Sequence, residues 1–402
     1  MIRDRLIICL ASAWDYDPTS KHHLMRILSR DNLVLWINYH GTRRPSASRS
    51  DLRDAFLGVV RVARGLRHVS PTIAQLTPLV IPGAVGAALE HLHRWLLIAQ
   101  IRRAAHKLNP NGTRPVQVWT FAPDVPFLKG ALREECFVYY CVDEYTRFKG
   151  FDTTAIKAAE DRLLATADLV VTTSEPLHVT KRVRRRDALL VPHGVDYDHF
   201  ASAWRTPPPR PQDLDAIDSP IFGFFGLIQH WIDRALIARV ARLRPQYAFV
   251  LIGDCKSDVT DLHGLSNVHL LGRRPYESLP AYCAAFRAGL LPFVQNAMTR
   301  NINPIKMMEY LAAGLPVVST PLPAAERFLG PVSIASTAEG FARACDAALA
   351  PENADRQRIS QTVRDHTWES RIDILAEYVN RACRRSVTPA QTSGIAFAAP
   401  AV

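Results

Sequence analysis

The sequence has few of the features that mark a metalloprotein, a disulfide-stapled secreted domain or a membrane-spanning chain. Its seven Cys residues are scattered, without CxxC or metal-ligand spacing, which favours free and mostly buried thiols in a reducing compartment. The longest apolar region, residues 76–101, is broken by prolines and by charged and His side chains, so it does not predict a transmembrane helix. No signal peptide precedes the first apolar run. We therefore expect a cytoplasmic protein that is at most peripherally attached to the inner face of the plasma membrane.

Acidic residues are outnumbered, because 49 Lys and Arg against 38 Asp and Glu give a formal net charge of +11. This balance implies an acidic partner, and nucleic acid, anionic lipid and small anionic ligands all qualify. The basic residues concentrate around apolar stretches with few aromatic side chains between them, which suits an anionic membrane surface better than nucleic acid. A solvated basic face is the alternative. The residues concerned are Arg43, Arg44, Arg49, Arg53, Arg61, Arg64 and Arg67, followed by Arg94, Arg102, Arg103 and Lys107.

Short apolar runs alternate with helical patterns in both halves of the chain, whose 402 residues suffice for two domains with a core each. The runs at 6–10 and 169–173 predict buried parallel strands, and the segment 156–167 predicts an amphipathic helix with Glu160 facing outward. The Pro-rich segment 205–211 predicts a stiff linker between the halves. The expected fold is therefore α/β, with two Rossmann-like parallel-sheet domains facing across a cleft.

The predicted domain limits follow from these signals. The first domain takes residues 1–204, a Pro-rich linker takes 205–216, and the second domain takes 217–365. An amphipathic helix follows at 366–385, and the Ala-, Thr- and Pro-rich end at 386–402 is expected to be disordered.

The stretch at 303–320 predicts a helix followed at once by a buried strand. Asn303 is predicted as the helix N-cap and Pro304 as the first helical residue. Gly314 ends the helix after about Ala313, at a position where a positive φ is wanted.

Within this helix Lys306 and Glu309 are three residues apart and therefore share one face. Spare N–H groups at the helix start and the Lys suit a phosphate group, whereas the carboxylate suits sugar hydroxyls. The pair could thus hold a phosphorylated ribose. An ordinary amphipathic helix with a solvent-facing Lys–Glu pair is the alternative.

The same stretch resembles a known signature. The pattern Pro304-x-Lys-x-x-Glu-Tyr-x-Ala-x-Gly-x-Pro-Val-Val is similar to the donor-site signature of GT-B glycosyltransferases, in particular the bacterial exopolysaccharide enzymes near family 4. A second piece, Pro192-His-Gly-Val-Asp with Phe200 after it, resembles the segment that closes the first domain beside the cleft in those enzymes. The resemblance implies that the helix at 366–385 crosses back to the first domain.

The resemblance also implies roles in donor binding. Glu309 would bind the nucleotide ribose, and the helix start at Asn303, with Lys306, would face the diphosphate. The turn at Gly226 would lie beside the diphosphate, and the corner at Arg273 would hold the base. No cofactor and no divalent metal are expected. One departure is Asn301, which stands where retaining members usually have a second Glu, so the donor sugar and the stereochemistry stay open.

Candidate groups for the acceptor side come from the ends of predicted strands. The loop after the first strand lacks the glycines of a dinucleotide fingerprint and offers Trp14, Asp17 and His22 instead. Asp143 follows another strand and is our first choice for a general base, in an arrangement similar to that of an inverting exopolysaccharide transferase, with His22 as a second candidate. His193 would contact the donor. Structural roles for all of these residues, in loops, turns and helix caps, are the alternative.

The sequence therefore predicts a metal-independent glycosyltransferase that moves a sugar from a nucleotide-sugar donor, UDP-linked or GDP-linked, to a lipid-linked or polysaccharide acceptor in cell-surface polysaccharide biosynthesis. The alternative is a non-catalytic nucleotide-sugar-binding subunit of a polysaccharide assembly complex. A GT-B epimerase or a glycogen-type transferase is less favoured, and a nucleic-acid-binding protein is the most distant alternative.

Overall fold

Two separate parallel sheets organise the chain. The computed structural model describes residues 1–39, 65–80, 86–148 and 152–387. The first sheet has the order β3-β4-β2-β1-β5-β6-β7-β8, and only the pairing of β3 with β4 is antiparallel. Its strands are β1 Leu6–Ala11, β2 Leu33–Asn38, β3 Leu66–His68, β4 Ile73–Leu76, β5 Val116–Thr120, β6 Cys136–Cys141, β7 Leu169–Thr172 and β8 Leu189–Leu190.

The second sheet is wholly parallel and has the order β11-β10-β9-β12-β13-β14. Its central strands are almost entirely buried, as expected where helices cover both faces. The strands are β9 Ile221–Phe225, β10 Ala248–Ile252, β11 Val268–Gly272, β12 Phe286–Leu291, β13 Val317–Ser319 and β14 Val332–Ile334.

The helices alternate with the strands and flank the sheets. In the described residues they are α1 Ser20–Leu28, α2 Ala87–Leu108, α3 Thr153–Thr166, α4 Glu175–Arg182, α5 Tyr197–Arg205, α6 Arg234–Leu243, α7 Leu279–Ala285, α8 Ile305–Ala312, α9 Ala338–Ala348, α10 Arg356–Gln361 and α11 Trp368–Val387. None of the helices in the described ranges has the length and apolarity needed to cross a membrane.

The last helix returns to the first domain. Trp368, Leu375 and Val379 of α11 are buried in the core of the first sheet. The chain thus passes between the domains twice, at 192–196 and at 366–368, and we call these two segments the crossover. They touch backbone to backbone, because a Cβ at Gly194 would lie 2.7 Å from the Trp368 nitrogen. A larger residue at 194 would force them apart.

The motif helix starts one residue later than predicted. Pro304, not Asn303, is its N-cap, and Asn303 instead donates its side-chain amide to the Thr173 carbonyl of the first domain at 3.0 Å. Gly314 has the predicted positive φ, at 70°.

Glu160 was predicted to face outward, and this is wrong. Its side chain is buried and accepts hydrogen bonds from the Tyr139 hydroxyl at 2.6 Å and from Lys181 at 2.8 Å. The basic residues from Arg43 to Arg64 and the predicted tail from 388 onward lie outside the described residues.

Candidate active site

The site lies where the central strands of the second sheet end. Gly226 follows β9 with a φ of 137°, and Gly253 follows β10 with a φ of 145°. A Cβ at Gly253 would lie only 1.9 Å from the Gly226 carbonyl oxygen, so the two turns approach too closely for any side chain. These turns form the floor of a cleft that Arg273, Arg274 and Lys306 also line.

Lys306 is the cation that faces the Gly226 turn. Its Cε lies 3.3 Å from where a Cβ of Gly226 would stand, and its Nζ lies 5.0 Å from the Phe225 ring centroid. Arg234 instead lies 3.9 Å from Asp261, and Arg300 is exposed on the short helical turn at 299–301. The geometry therefore favours Lys306 over Arg234 and Arg300 as the partner of a diphosphate.

Glu309 lies one turn further along α8, with its carboxylate 3.1 Å from Lys306 Nζ. It is only 1% exposed, so the alternative of a solvent-facing Lys–Glu pair does not hold for Glu309. Burial raises the pKa of Glu309, and the neighbouring ammonium group of Lys306 opposes that rise. A buried carboxylate held beside one cation is costly unless a ligand completes its hydrogen bonds, which ribose hydroxyls would do.

Two tyrosines that we did not predict as site residues complete this region. The hydroxyl of Tyr310 accepts a hydrogen bond from the Phe225 amide at 2.9 Å, so the residue after Glu309 holds the end of β9 in place. Tyr276 lines the cleft and stacks on His199 at 4.7 Å between ring centroids. In the sequence, Tyr310 could have been identified from its position directly after Glu309 in the motif.

A cross-domain ion pair lies at the mouth of the cleft. Arg273 Nη2 lies 2.7 Å from the Asp17 carboxylate, and both side chains are about half exposed. The structure therefore brings together one residue predicted for the donor and one predicted for the acceptor. Because the pair is exposed, its contribution to stability is small, about 0–1 kcal/mol.

Asp143 lies just after β6, half-buried, and faces Lys21 at the start of α1. Burial raises the pKa of Asp143, whereas the charge of Lys21 lowers it. Burial likewise lowers the pKa of Lys21, and Asp143 opposes that fall. A carboxyl with a raised pKa and a nearby cation has the properties of a general base.

A buried charge network supports the segment that carries Asp143. Lys181 of α4 lies 2.9 Å from Glu144 and 2.8 Å from Glu160, and its side chain is 4% exposed. Thr146 also donates to Glu144, at 2.6 Å. The network joins α3, α4 and the turn after β6, so it limits how far Asp143 can move.

His22 is held in the first domain rather than presented to the cleft. It is 1% exposed, Nε2 lies 3.2 Å from the Trp14 carbonyl, and Nδ1 accepts from the Thr19 amide at 3.2 Å. Because a carbonyl can only accept, Nε2 carries the proton and both nitrogens are occupied. Burial lowers the pKa of His22 to about 4. Trp14 is partly buried and packs edge-on against Trp36, with 4.9 Å between ring centroids.

His193 and Asn303 meet at a different place. Both line a cavity beside the crossover, with Ser174 and Arg371, whereas Lys306 lines the cleft at the Gly226 turn. His193 is buried, and burial lowers its pKa to about 3. Within the described ranges, no three residues of the His, Cys, Asp or Glu types are grouped so that they could hold a metal ion.

Two parallel-sheet domains, a cleft between them and a returning last helix define the GT-B fold, so the predicted fold class is confirmed. Residues 219–351 match the family described as Glycosyl transferases group 1. That match covers β9 to α9 and thus contains Gly226, Lys306 and Glu309.

Among curated proteins the chain is similar to TuaH of Bacillus subtilis (strain 168), which is named a teichuronic acid biosynthesis glycosyltransferase. The two are 30% identical over 252 residues, which is 56% of this chain and 63% of TuaH. The match thus spans less than two thirds of that relative.

Solved structures share the fold at low identity. Sucrose-phosphate synthase from Thermosynechococcus elongatus is 15% identical with a TM-score of 0.67, and the match covers 95% of this chain and 100% of that one. HepE from Anabaena, solved in complex with UDP, is 15% identical with a TM-score of 0.64, and the match covers 94% and 100% of the two chains.

Proposed function

We propose that the protein is a glycosyltransferase of cell-surface polysaccharide biosynthesis that takes a sugar from a nucleotide-sugar donor. The observation that carries this proposal is the Lys306–Glu309 pair, which faces the Gly226 turn inside the segment that matches the group 1 family. TuaH supports the cell-surface process, and the UDP bound to HepE supports UDP as the first nucleotide to try, with GDP second. The acceptor is a lipid-linked or polysaccharide glycan.

In this proposal Glu309 binds the ribose, and Lys306 with the Gly226 turn binds the diphosphate. The start of α8 adds backbone N–H groups, so negative charge on the leaving diphosphate is stabilised without a divalent cation. Asp143 takes the proton from the acceptor hydroxyl. Transfer should continue at an unchanged rate in excess EDTA. A rate that falls with EDTA and returns with added Mg²⁺ or Mn²⁺ would contradict metal independence.

Donor binding can be tested by calorimetric titration of UDP, GDP, ADP and CMP. We expect one uridine or guanosine nucleotide to bind selectively, and Glu309→Ala to weaken it by about 10-fold to 150-fold, as expected for loss of hydrogen bonds to a charged group at about 1.5–3 kcal/mol. The matched control is Glu339→Ala, which removes an exposed Glu at the start of α9 in the same domain. Equal affinity in wild type and Glu309→Ala would refute the ribose assignment.

A non-catalytic nucleotide-sugar-binding subunit is the second candidate function, and Asn301 favours it. Its side-chain amide donates to the Ala297 carbonyl at 2.6 Å, within its own loop, and does not supply a carboxylate. In this alternative UDP-sugar binds but is not consumed. Product formation on cell-envelope acceptors, followed with radiolabelled UDP-sugars, separates the two candidates.

Attachment to an anionic membrane surface is a further part of the proposal. Helix α2 exposes Trp95 at 64%, with Leu89 and Leu92 also about half exposed, and it carries Arg102 and Arg103. Aromatic and apolar side chains beside cations suit the bilayer interface.

The membrane prediction concerns Trp95→Ser. We expect it to reduce cosedimentation with vesicles of phosphatidylglycerol and phosphatidylcholine several-fold, because it removes the largest exposed apolar side chain of α2. Trp204→Ser is the control, since Trp204 is only partly exposed and packs against the core of the second domain. Equal binding of Trp95→Ser and wild type would exclude this helix, and binding to RNA with a steep salt dependence would favour the nucleic-acid alternative.

A further inference from the structure

A cavity of about 170 Å³ lies beside the crossover and has no part in the function proposed above. The first domain contributes Ser174, the second domain contributes Arg327, and the crossover contributes His193 and His366, with Arg371 in the first turn of α11. The cavity therefore touches both domains and both segments of the crossover.

In the part of the chain that the structure describes, the arginines of this cavity have no acidic partner. Arg371 is only 8% exposed, its Nη2 lies 2.6 Å from His366 Nδ1, and its Nε has no hydrogen-bond partner among the described residues. Neither Arg371 nor Arg327 lies within 4.0 Å of a described carboxylate. Burial and the charge of Arg327 both lower the pKa of Arg371. A buried guanidinium without a counter-ion is costly, so a bound anion would stabilise it.

A second buried polar atom lines the same cavity. His193 is 6% exposed, and its Nδ1 has no partner among the described residues. Ser174 is the N-cap of α4, so the cavity lies at the positive end of an eight-residue helix. The Ser174 hydroxyl itself donates to the Asn301 carbonyl and is not counted as a donor to the anion. Glu175 is the acidic residue of the lining, and the two arginines leave the cavity net positive.

We propose that this crossover cavity binds a phosphate-class oxyanion, held by Arg371 and Arg327 and hydrogen-bonded at His193. Planar guanidinium groups suit bidentate binding of phosphate oxygens. The volume is below the roughly 300–1,000 Å³ of pockets that hold drug-sized ligands, which favours a phosphate group over a whole nucleotide-sugar. The phosphate could be free inorganic phosphate or the head of a polyprenyl phosphate lipid.

Calorimetric titration of the full chain tests the proposal. The probes are sodium phosphate and, separately, a polyprenyl phosphate in phosphatidylcholine vesicles. Every protein carries Lys306→Ala, which removes the Lys that faces the Gly226 turn and so weakens phosphate binding in that cleft. Phosphate binding that is lost when Arg327 or Arg371 is also replaced is therefore assigned to the crossover cavity. Onto this background Arg327→Gln, Arg371→Gln and the control Arg364→Gln are added. Arg364 is exposed, precedes α11 and does not line the cavity.

We expect Arg327→Gln and Arg371→Gln to weaken phosphate binding at least tenfold, and Arg364→Gln to leave it unchanged. Binding of sodium phosphate identifies a free ligand, and binding of the lipid probe alone identifies a headgroup. Arg327 is exposed, so Arg327→Gln should fold even if Arg371→Gln does not. The proposal is overturned if neither probe binds, if Arg327→Gln binds like its background, or if the control weakens binding equally.

Discussion

At Asp143 a half-buried carboxyl faces the ammonium group of Lys21, and the two groups shift each other's pKa in opposite directions. In the proposed mechanism Asp143 must be ionised to accept a proton. We expect Asp143→Asn to lower kcat by about 10²-fold to 10⁴-fold, the usual range for a general base, and to leave nucleotide affinity unchanged. Steady-state rates and calorimetric titration measure the two effects separately.

The pH dependence distinguishes a catalytic Asp143 from a structural one. Burial raises its pKa, so activity should fall on the acid side at a higher pH than for an exposed Asp. Lys21→Gln removes the cation that lowers this pKa, and the acid limb should then move to still higher pH. A pH profile that stays in place in Lys21→Gln would show that Asp143 does not act as the base.

At the scale of elements, Lys181 joins α4 to α3 and to the turn after β6 by two buried ion pairs. Lys181→Met leaves two buried carboxylates without a cation, and we expect the free energy of unfolding to fall by about 3–5 kcal/mol. Urea denaturation measures the change. Lys157→Met, on the exposed face of α3, is the matched control and should cost less than about 0.5 kcal/mol.

The double variant Lys181→Met, Glu160→Gln should recover part of that loss, because it removes one of the uncompensated charges. If Lys181→Met lowers the free energy of unfolding no more than Lys157→Met does, water solvates the network.

The prediction that Glu160 faces outward was wrong because the partners of its carboxylate come from other elements. Glu160 lies on the same face of α3 as the buried residues Ile156 and Leu164, and its carboxylate is accommodated there because Tyr139 and Lys181 supply partners from other elements.

At the scale of the whole molecule, buried His side chains lie near the contact between the two domains. His23 stacks on Trp368 of α11 and also contacts Tyr276 of the second domain, and His193 belongs to the crossover. Burial lowers the pKa of His23 and His193 to about 3, and that of His22 to about 4, from 6.5. Below pH 6.5 the unfolded chain therefore binds protons that the folded protein does not.

This difference in proton binding predicts that the free energy of unfolding falls as the pH falls. The stabilisation from these three His residues is complete above pH 6.5 and is lost as the pH falls toward 4, with a slope of up to about 4 kcal/mol per pH unit for three protons. Denaturant titrations at several pH values measure the slope. His23→Phe keeps a ring against Trp368 and should reduce the slope by about a third. A free energy of unfolding that does not change between pH 6.5 and 4.5 would contradict the prediction.

Local pattern determined the two-domain α/β architecture and the candidate donor helix. Buried strands such as β1 and β9 are continuous apolar runs, and Gly314 ends α8 as predicted, because strand burial and helix caps depend on residues near in sequence. The motif at 304–318 also identified Lys306 and Glu309 before any geometry was available.

Only the tertiary structure decided which distant residues meet. It brought Lys306 to the Gly226 turn, paired Arg273 with Asp17, and enclosed His22 against Trp14 and Trp36. It also gathered Arg327, Arg371 and His193 around one cavity. These contacts join residues that are far apart in sequence or belong to different elements. Periodicity specifies which face of an element is buried but not which element covers it, and that choice depends on how the sheets, the cleft and the returning helix pack together.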